Sequence, residues 1–184
     1  MAGRKDYEAL FREMHPGFFE RDYIRSMEEE WICDEMVLPL DEFDPDAYGK
    51  SFDGSVSFGI FRGGLDELHA AVEQVVPSWV PLYNGKNRVY CGFIGGKIAS
   101  FCIIENMGEH QLGGQALKIG GPGCVGTVPA YRNRGIGLMM VKGATRILKE
   151  EGYDLSYIHH TGVAPWYRKL GYRTVLRWNK HGIL

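Results

Sequence analysis

Val125-Gly126-Thr127-Val128-Pro129-Ala130-Tyr131-Arg132-Asn133-Arg134-Gly135-Ile136-Gly137-Leu138 is the stretch on which the reading of this chain turns. A β-rich run ends at Val128. Helical spacing starts at Ile136, with Met140, Ala144 and Ile147 on the same face and Gly152 just past the end. The turn between them holds Arg132, Arg134, Gly135 and Gly137. The first amides of a helix have no internal partner, and the helix dipole gathers partial positive charge there. Glycines remove the side chains that would hold an anion away from those amides. Arginines add full charges that can grip phosphate oxygens in a fork. The turn is therefore suited to a phosphate or pyrophosphate.

The usual nucleotide motifs do not fit. A dinucleotide fingerprint needs a third glycine where Met140 stands, and no G-x-x-x-x-G-K-[ST] occurs. Asp44-x-Asp46-x-x-Gly49 has Tyr48 and Ser55 where a calcium loop needs oxygen ligands and its closing glutamate, so calcium is rejected. Cys33, Cys91, Cys102 and Cys124 are widely spaced, which argues against a disulfide scaffold or zinc knuckle and for a reducing cytoplasm. No metal is expected.

Moving outward, eight of the 25 glycines lie in residues 113–137. Ala116 to Val128 reads as a strand interrupted by Gly120-Gly121-Pro122-Gly123, the mark of a bulge, a splayed edge or a backbone approached by a ligand. Upstream, Val56 to Ile60 alternates as a strand, and Leu65 to Val76 is a helix ended by Pro77. Arg88 to Ile94 and Lys97 to Ile104 form a hairpin about Gly95-Gly96. Downstream come a strand at Leu155 to His159, a short helix at Ala164 to Leu170 and a strand at Tyr172 to Trp178. Near the start, Tyr7, Leu10, Phe11 and Met14 predict a first helix. Glu28 to Trp31 reads as the end of a second, and Asp41 to Ser51 as a loop. Residues 1–55 form an acidic, partly helical extension ahead of a domain at 56–184.

The 184 residues carry a net charge of −2, divided unevenly: residues 1–92 sum to −9 and residues 93–184 to +7. A basic half suits an anionic ligand, and the acidic half could steer a cationic one. Neither a nucleic-acid motif nor a membrane-spanning apolar run is present, and residues 1–20 do not form an obvious secretory signal. A cytoplasmic protein is expected, and a homodimer is left open.

Arg132-x-x-Gly135-x-Gly137, preceded by Val125-Gly126-Thr127-Val128-Pro129, resembles the acetyl-CoA signature of the GNAT N-acetyltransferase superfamily. Ala164-Pro165-Trp166-Tyr167-Arg168-Lys169-Leu170-Gly171-Tyr172 resembles that family's second landmark, a tyrosine opening Y-x-x-x-G-[FY]. The resemblance covers roughly residues 56–180. It implies an α/β fold with a mixed, centrally splayed sheet flanked by helices. It implies that acetyl-CoA is the co-substrate and an amine, on a small molecule or peptide, the acceptor. Val125, Gly126 and Thr127 would pair with the pantetheine arm. Arg132, Asn133, Arg134, Gly135, Ile136, Gly137 and Leu138 would hold the pyrophosphate.

Acetyl transfer from a thioester to an amine needs a deprotonated amine and a proton for the leaving thiolate. By the resemblance Tyr167 is the acid. The family's usual base, a glutamate on the strand before the glycine turn, is missing here, because Ala116 to Val128 contains no carboxylate. His159 and His160 could take the proton directly or through water, and Glu105 is another candidate. Three readings follow: direct acetyl transfer in a ternary complex, a CoA-binding regulatory module without catalysis, or a structural adaptor that uses the acidic N-terminal segment and has no affinity for CoA. Thiol release with an amine separates the first two.

Overall fold

A computed structural model describes residues 2–184. The elements in chain order are α1 (Arg4–Met14), α2 (Asp22–Arg25), β1 (Cys33–Pro39), β2 (Val56–Ile60), α3 (Leu65–Glu73), β3 (Arg88–Ile94), β4 (Lys97–Leu112), β5 (Gln115–Thr127), α4 (Ile136–Glu150), β6 (Leu155–Thr161), α5 (Ala164–Arg168), β7 (Arg173–Asn179) and β8 (Gly182–Ile183). The strands are hydrogen-bonded in the order β2-β3-β4-β5-β6-β1-β7-β8. Most neighbours are antiparallel, but β5 and β6 are parallel and pair only at Ile119–Leu155 and Gly120–Ser156. This mixed sheet with helices is the expected fold class. No helix among the described residues is long and apolar enough to cross a membrane.

The chain forms two compact units. The central unit contains Asp44–Asn106 and Gly121–Glu151. Its meander β2-β3-β4 is pinned by pairs such as Phe58–Gly92 and Cys91–Phe101, with Gly95 and Gly96 both at positive φ in the hairpin turn. Leu68 and Val72 of α3 pack with Tyr83, Val89, Cys91, Phe101 and Val128 as its core. The α4 stripe read from the sequence is buried at Ile136, Met140 and Ala144.

The terminal unit contains the residues up to Phe43, Met107–Gly120 and Gly152–Leu184. Its centre is β1, which is antiparallel to β6 on one side (Val37–Tyr157) and to β7 on the other (Val37–Arg173). Six of its seven residues are buried, including Asp34 and Glu35. Sequence patterning missed this strand, because two acids interrupt its apolar run. The second helix also ends earlier than the expected Glu28 to Trp31, at Arg25. Leu10 of α1 packs with Val37, Ile119, Leu155 and Tyr157, while Phe11 packs with Phe18, Cys33, Leu176 and Trp178.

Candidate functional site

In the central unit, Gly135 caps α4 with φ +80°, a conformation open to glycine and strained for other residues. No side chain caps the helix and its first turn carries no acid, so the opening amides lack a competing anion. Ile136, Gly137 and Leu138 are buried, whereas Arg132, Asn133 and Arg134 are exposed. Arg132 Nε donates to the Thr127 carbonyl at 3.1 Å, which anchors its stem to the end of β5. Asn133 has φ +61°, a left-handed conformation that asparagine tolerates better than most residues.

Sequence reasoning missed a third cation. A Cβ placed on Gly135 would lie 2.8 Å from Lys50 Cδ and 3.1 Å from its Nζ. The Lys50 ammonium thus lies over the start of α4. Its loop is tied to the helix by Lys142 Nζ, which donates to the Tyr48 carbonyl at 2.7 Å. Lys50 belongs to no motif, and only the fold brings it to the turn.

The strand leading to that turn is shaped by two glycines. A side chain on Gly126 would collide with the fully buried Phe101 ring, and one on Gly123 with the Glu105 carboxylate. Glu105, half-buried on β4, therefore occupies the space beside the glycine-rich strand that a β5 side chain would take. Cys124 sits within β5 at φ +48°, and its carbonyl accepts the Tyr83 hydroxyl at 2.6 Å. Burial, helped by the Glu105 charge, pushes the Cys124 thiol up to about 11, so it is no thiolate nucleophile at neutral pH.

The terminal unit holds the other candidates. Tyr167, on α5 behind Pro165, is 5% exposed. Its ring meets Trp166 edge-on at 4.9 Å and Tyr172 at 5.9 Å. His159 and His160 close β6, and both converge on Glu35 of β1. Glu35 is fully buried. Its carboxylate accepts Trp178 Nε1 at 2.7 Å, His159 Nδ1 at 2.9 Å and the His160 backbone N–H at 3.1 Å. Burial alone would raise the Glu35 carboxyl, but the hydrogen bond and charge of His159, with Trp178, hold it below the usual range. His160 sits at φ +55°, where the register of β1 against β6 shifts between Asp34 and Met36. Its ring packs on Trp178 at 4.7 Å, and burial lowers its pKa.

His15, just past α1, stacks on His159 with centroids 3.9 Å apart and planes 16° from parallel. Its Nε2 is buried without a hydrogen-bond partner. Burial, then the neighbouring His159, lowers its pKa to about 4. Neither Glu35 nor His15 was singled out from the sequence. No local pattern marks either one, since their partners lie more than a hundred residues away.

The mixed sheet with its helices makes an α/β fold whose glycine-capped helix start is suited to an anion. The chain belongs to the GNAT family: the acetyltransferase (GNAT) domain matches residues 66–175, more than half its length. No curated protein matches the sequence. Solved structures share the fold. One is a GCN5-related glucosamine N-acetyltransferase region in a fungal multi-domain GH3 β-N-acetylglucosaminidase, with TM-score 0.64, 19% identity, and coverage of 82% of this chain and 20% of that one. Another is a GCN5-related N-acetyltransferase from Sphaerobacter thermophilus, with TM-score 0.58, 22% identity, and coverage of 80% and 50%. A third, from Kribbella flavida, has TM-score 0.55, 16% identity, and coverage of 93% and 68%. The chain spans a fifth of the first and half of the second.

The His15 environment predicts a pH-dependent stability. Unfolded, the imidazole titrates near ~6.5; folded, it titrates at about 4. Folding favours the neutral ring, so this contribution is complete above about pH 6.5 and is lost as the pH falls toward 4. Allowing for partial solvent screening, about 1–2 kcal/mol is at stake. Urea unfolding of the wild type should weaken over that window by this amount more than that of a folded His15→Gln variant. Parallel pH dependences in the two proteins would contradict the assignment.

Proposed function

We propose that the chain transfers an acetyl group from acetyl-CoA to a primary amine by direct attack in a ternary complex. The observation that carries this reading is the start of α4. Its amides open beside Gly135, no acid stands in its first turn, Lys50 lies over it, and Arg132 and Arg134 stand just before it in the chain. The CoA pyrophosphate would rest on the amides from Asn133 to Leu138. The pantetheine arm would pair with Val125, Gly126 and Thr127. From Gly121 onward that side of β5 carries no strand partner among the described residues.

In the reaction the amine nitrogen attacks the thioester carbonyl. The tetrahedral intermediate then collapses, the nitrogen loses a proton and the thiolate gains one. Tyr167 is assigned that donation on the strength of the family landmark it opens. A phenol with a reference pKa near ~10 keeps its proton at neutral pH and can give it to a thiolate. Glu105 and His159 are the groups available to free the amine of its first proton. A CoA-binding module without catalysis drew its support from the lack of a carboxylate on β5. Glu105, filling the space at Gly123, weakens that reading. The four free cysteines support a reducing compartment such as the cytoplasm.

The amine class is tested by free-thiol release from acetyl-CoA across polyamines, amino acids, aminoglycosides and peptides. Release dependent on an amine supports transfer, and binding without release from any of them would favour the regulatory module. Gly135→Asp puts a carboxylate between Lys50 and the α4 amides. It should weaken CoA binding by at least ~1.5–3 kcal/mol in calorimetry. Unchanged affinity in the folded variant would remove the turn from the site. Tyr167→Phe keeps the ring and should lower kcat by ~10²–10⁴ with CoA affinity intact. A change of only a few-fold, with chemistry rate-limiting, would return Tyr167 to a packing role.

A further inference from the structure

We propose that Glu35 fixes His159 as the general base that deprotonates the acceptor amine, with the His15 ring as the platform on which His159 is held. Glu35 is thus a positioning residue, supplied by the segment ahead of the matched domain. The inference rests on the transferase reading and deepens it.

The geometry is that of an oriented imidazole. Ionised Glu35 can only accept, so the 2.9 Å contact puts a proton on the His159 Nδ1, and the neutral tautomer it selects is the one with its lone pair on Nε2. The other Glu35 contacts, from Trp178 and the His160 backbone, lock the carboxylate itself. His160 holds a left-handed φ to make its contact, a strain of the sort stored at functional sites. The His159 ring is wedged among His15, Phe18 and Phe11, yet about a quarter of the side chain (24%) stays exposed. An imidazole is better matched than a carboxylate to removing an ammonium proton near neutral pH, because its reference pKa of ~6.5 lies closer to the operating pH than ~4.3. The cluster is made for a proton rather than a cation. His15, Glu35 and His159 offer ligand atoms within 4.8 Å of one another, but the His159 Nδ1 is turned to Glu35. Both Glu35 oxygens already hold N–H donors.

The titratable groups facing the pair come from several elements, and Cys33 of β1 is one of them, its thiol pushed up by burial and then by the Glu35 charge. Glu35 reaches His159 from β1 and His15 stacks on it from just past α1, while Arg21 acts on His15. His110 of β4, paired with Glu13, acts on His15. His160 and Tyr157 lie on β6 itself, and Tyr157 keeps its proton because burial and the Glu35 charge push it up. Of these, Glu35 is the anion in contact with the His159 ring. In the step proposed, an N–H bond of the acceptor ammonium breaks and the Nε2–H bond of His159 forms. The resulting imidazolium is held by Glu35 and returns its proton to water. The second amine proton leaves with collapse of the intermediate, as the thiolate gains one.

The test uses the full chain, with acetyl-CoA saturating and the best amine from the thiol-release panel. In Glu35→Gln an amide N–H faces Nδ1 and drives the His159 proton to Nε2. We expect kcat to fall about a hundredfold or more and the acid limb of the kcat–pH profile to move. CoA affinity should not change. His159→Gln should abolish the limb, while Glu105→Gln should leave it in place. Independently of activity, nitrogen NMR of the wild-type histidines should show the proton of the neutral His159 ring on Nδ1, facing Glu35. A proton on Nε2, or an unmoved limb in a folded Glu35→Gln protein, overturns the proposal, as does a limb that follows Glu105. Absence of transfer from every amine overturns the transferase reading and the base with it. Transfer that persists with an unmoved limb overturns the base alone.

Discussion

The first backbone N–H groups of α4 have no partner inside the helix, and the surrounding central unit is arranged around that fact. Gly135 leaves them uncovered, and the first turn offers no acid of its own. Lys50 and the two arginines raise the positive potential further. A cap of this kind would be poor design for an isolated helix, where Ser, Thr, Asp or Asn would satisfy one of those amides. It makes sense when an anion arriving from outside completes the cap. The same logic explains Gly126 and Gly123, whose missing side chains admit Phe101 and Glu105.

A second constraint governs the terminal unit. A fully buried carboxylate is costly unless its charge is paired and its lone pairs are filled. Glu35 meets that condition through β6 and β7, which also pair with β1 on either side. The sheet thus brings together the strand that carries the charge and the two whose N–H groups fill its lone pairs. Removing a single partner of such a group costs about 3–5 kcal/mol in general, so the cluster binds β1, β6 and β7 energetically as well as geometrically.

Local periodicity made α1, α4, the β3–β4 hairpin and the β5 turn legible, because each is written within a few consecutive residues. The two motifs of the GNAT resemblance are local in the same way. β1 escaped, since Asp34 and Glu35 look like surface residues until His159 and Trp178, more than a hundred residues away, are seen to receive them. Lys50 escaped because it lies in a loop without a pattern. Glu105 could be named as a candidate from the sequence, but its relation to Gly123 depends on which residues of β4 and β5 share a face. Sequence therefore revealed the elements and the turn proposed to bind an anion, while the contacts that depend on pairing between distant strands came from the fold.

The central claim, that the β5 edge and the start of α4 receive CoA, is tested most directly by backbone amide NMR of the labelled full chain during a CoA titration. The account predicts that the largest and earliest changes fall on Val125, Gly126 and Thr127 and on the amides from Asn133 to Leu138. A titration that saturates with those amides unmoved, while others shift, would contradict it.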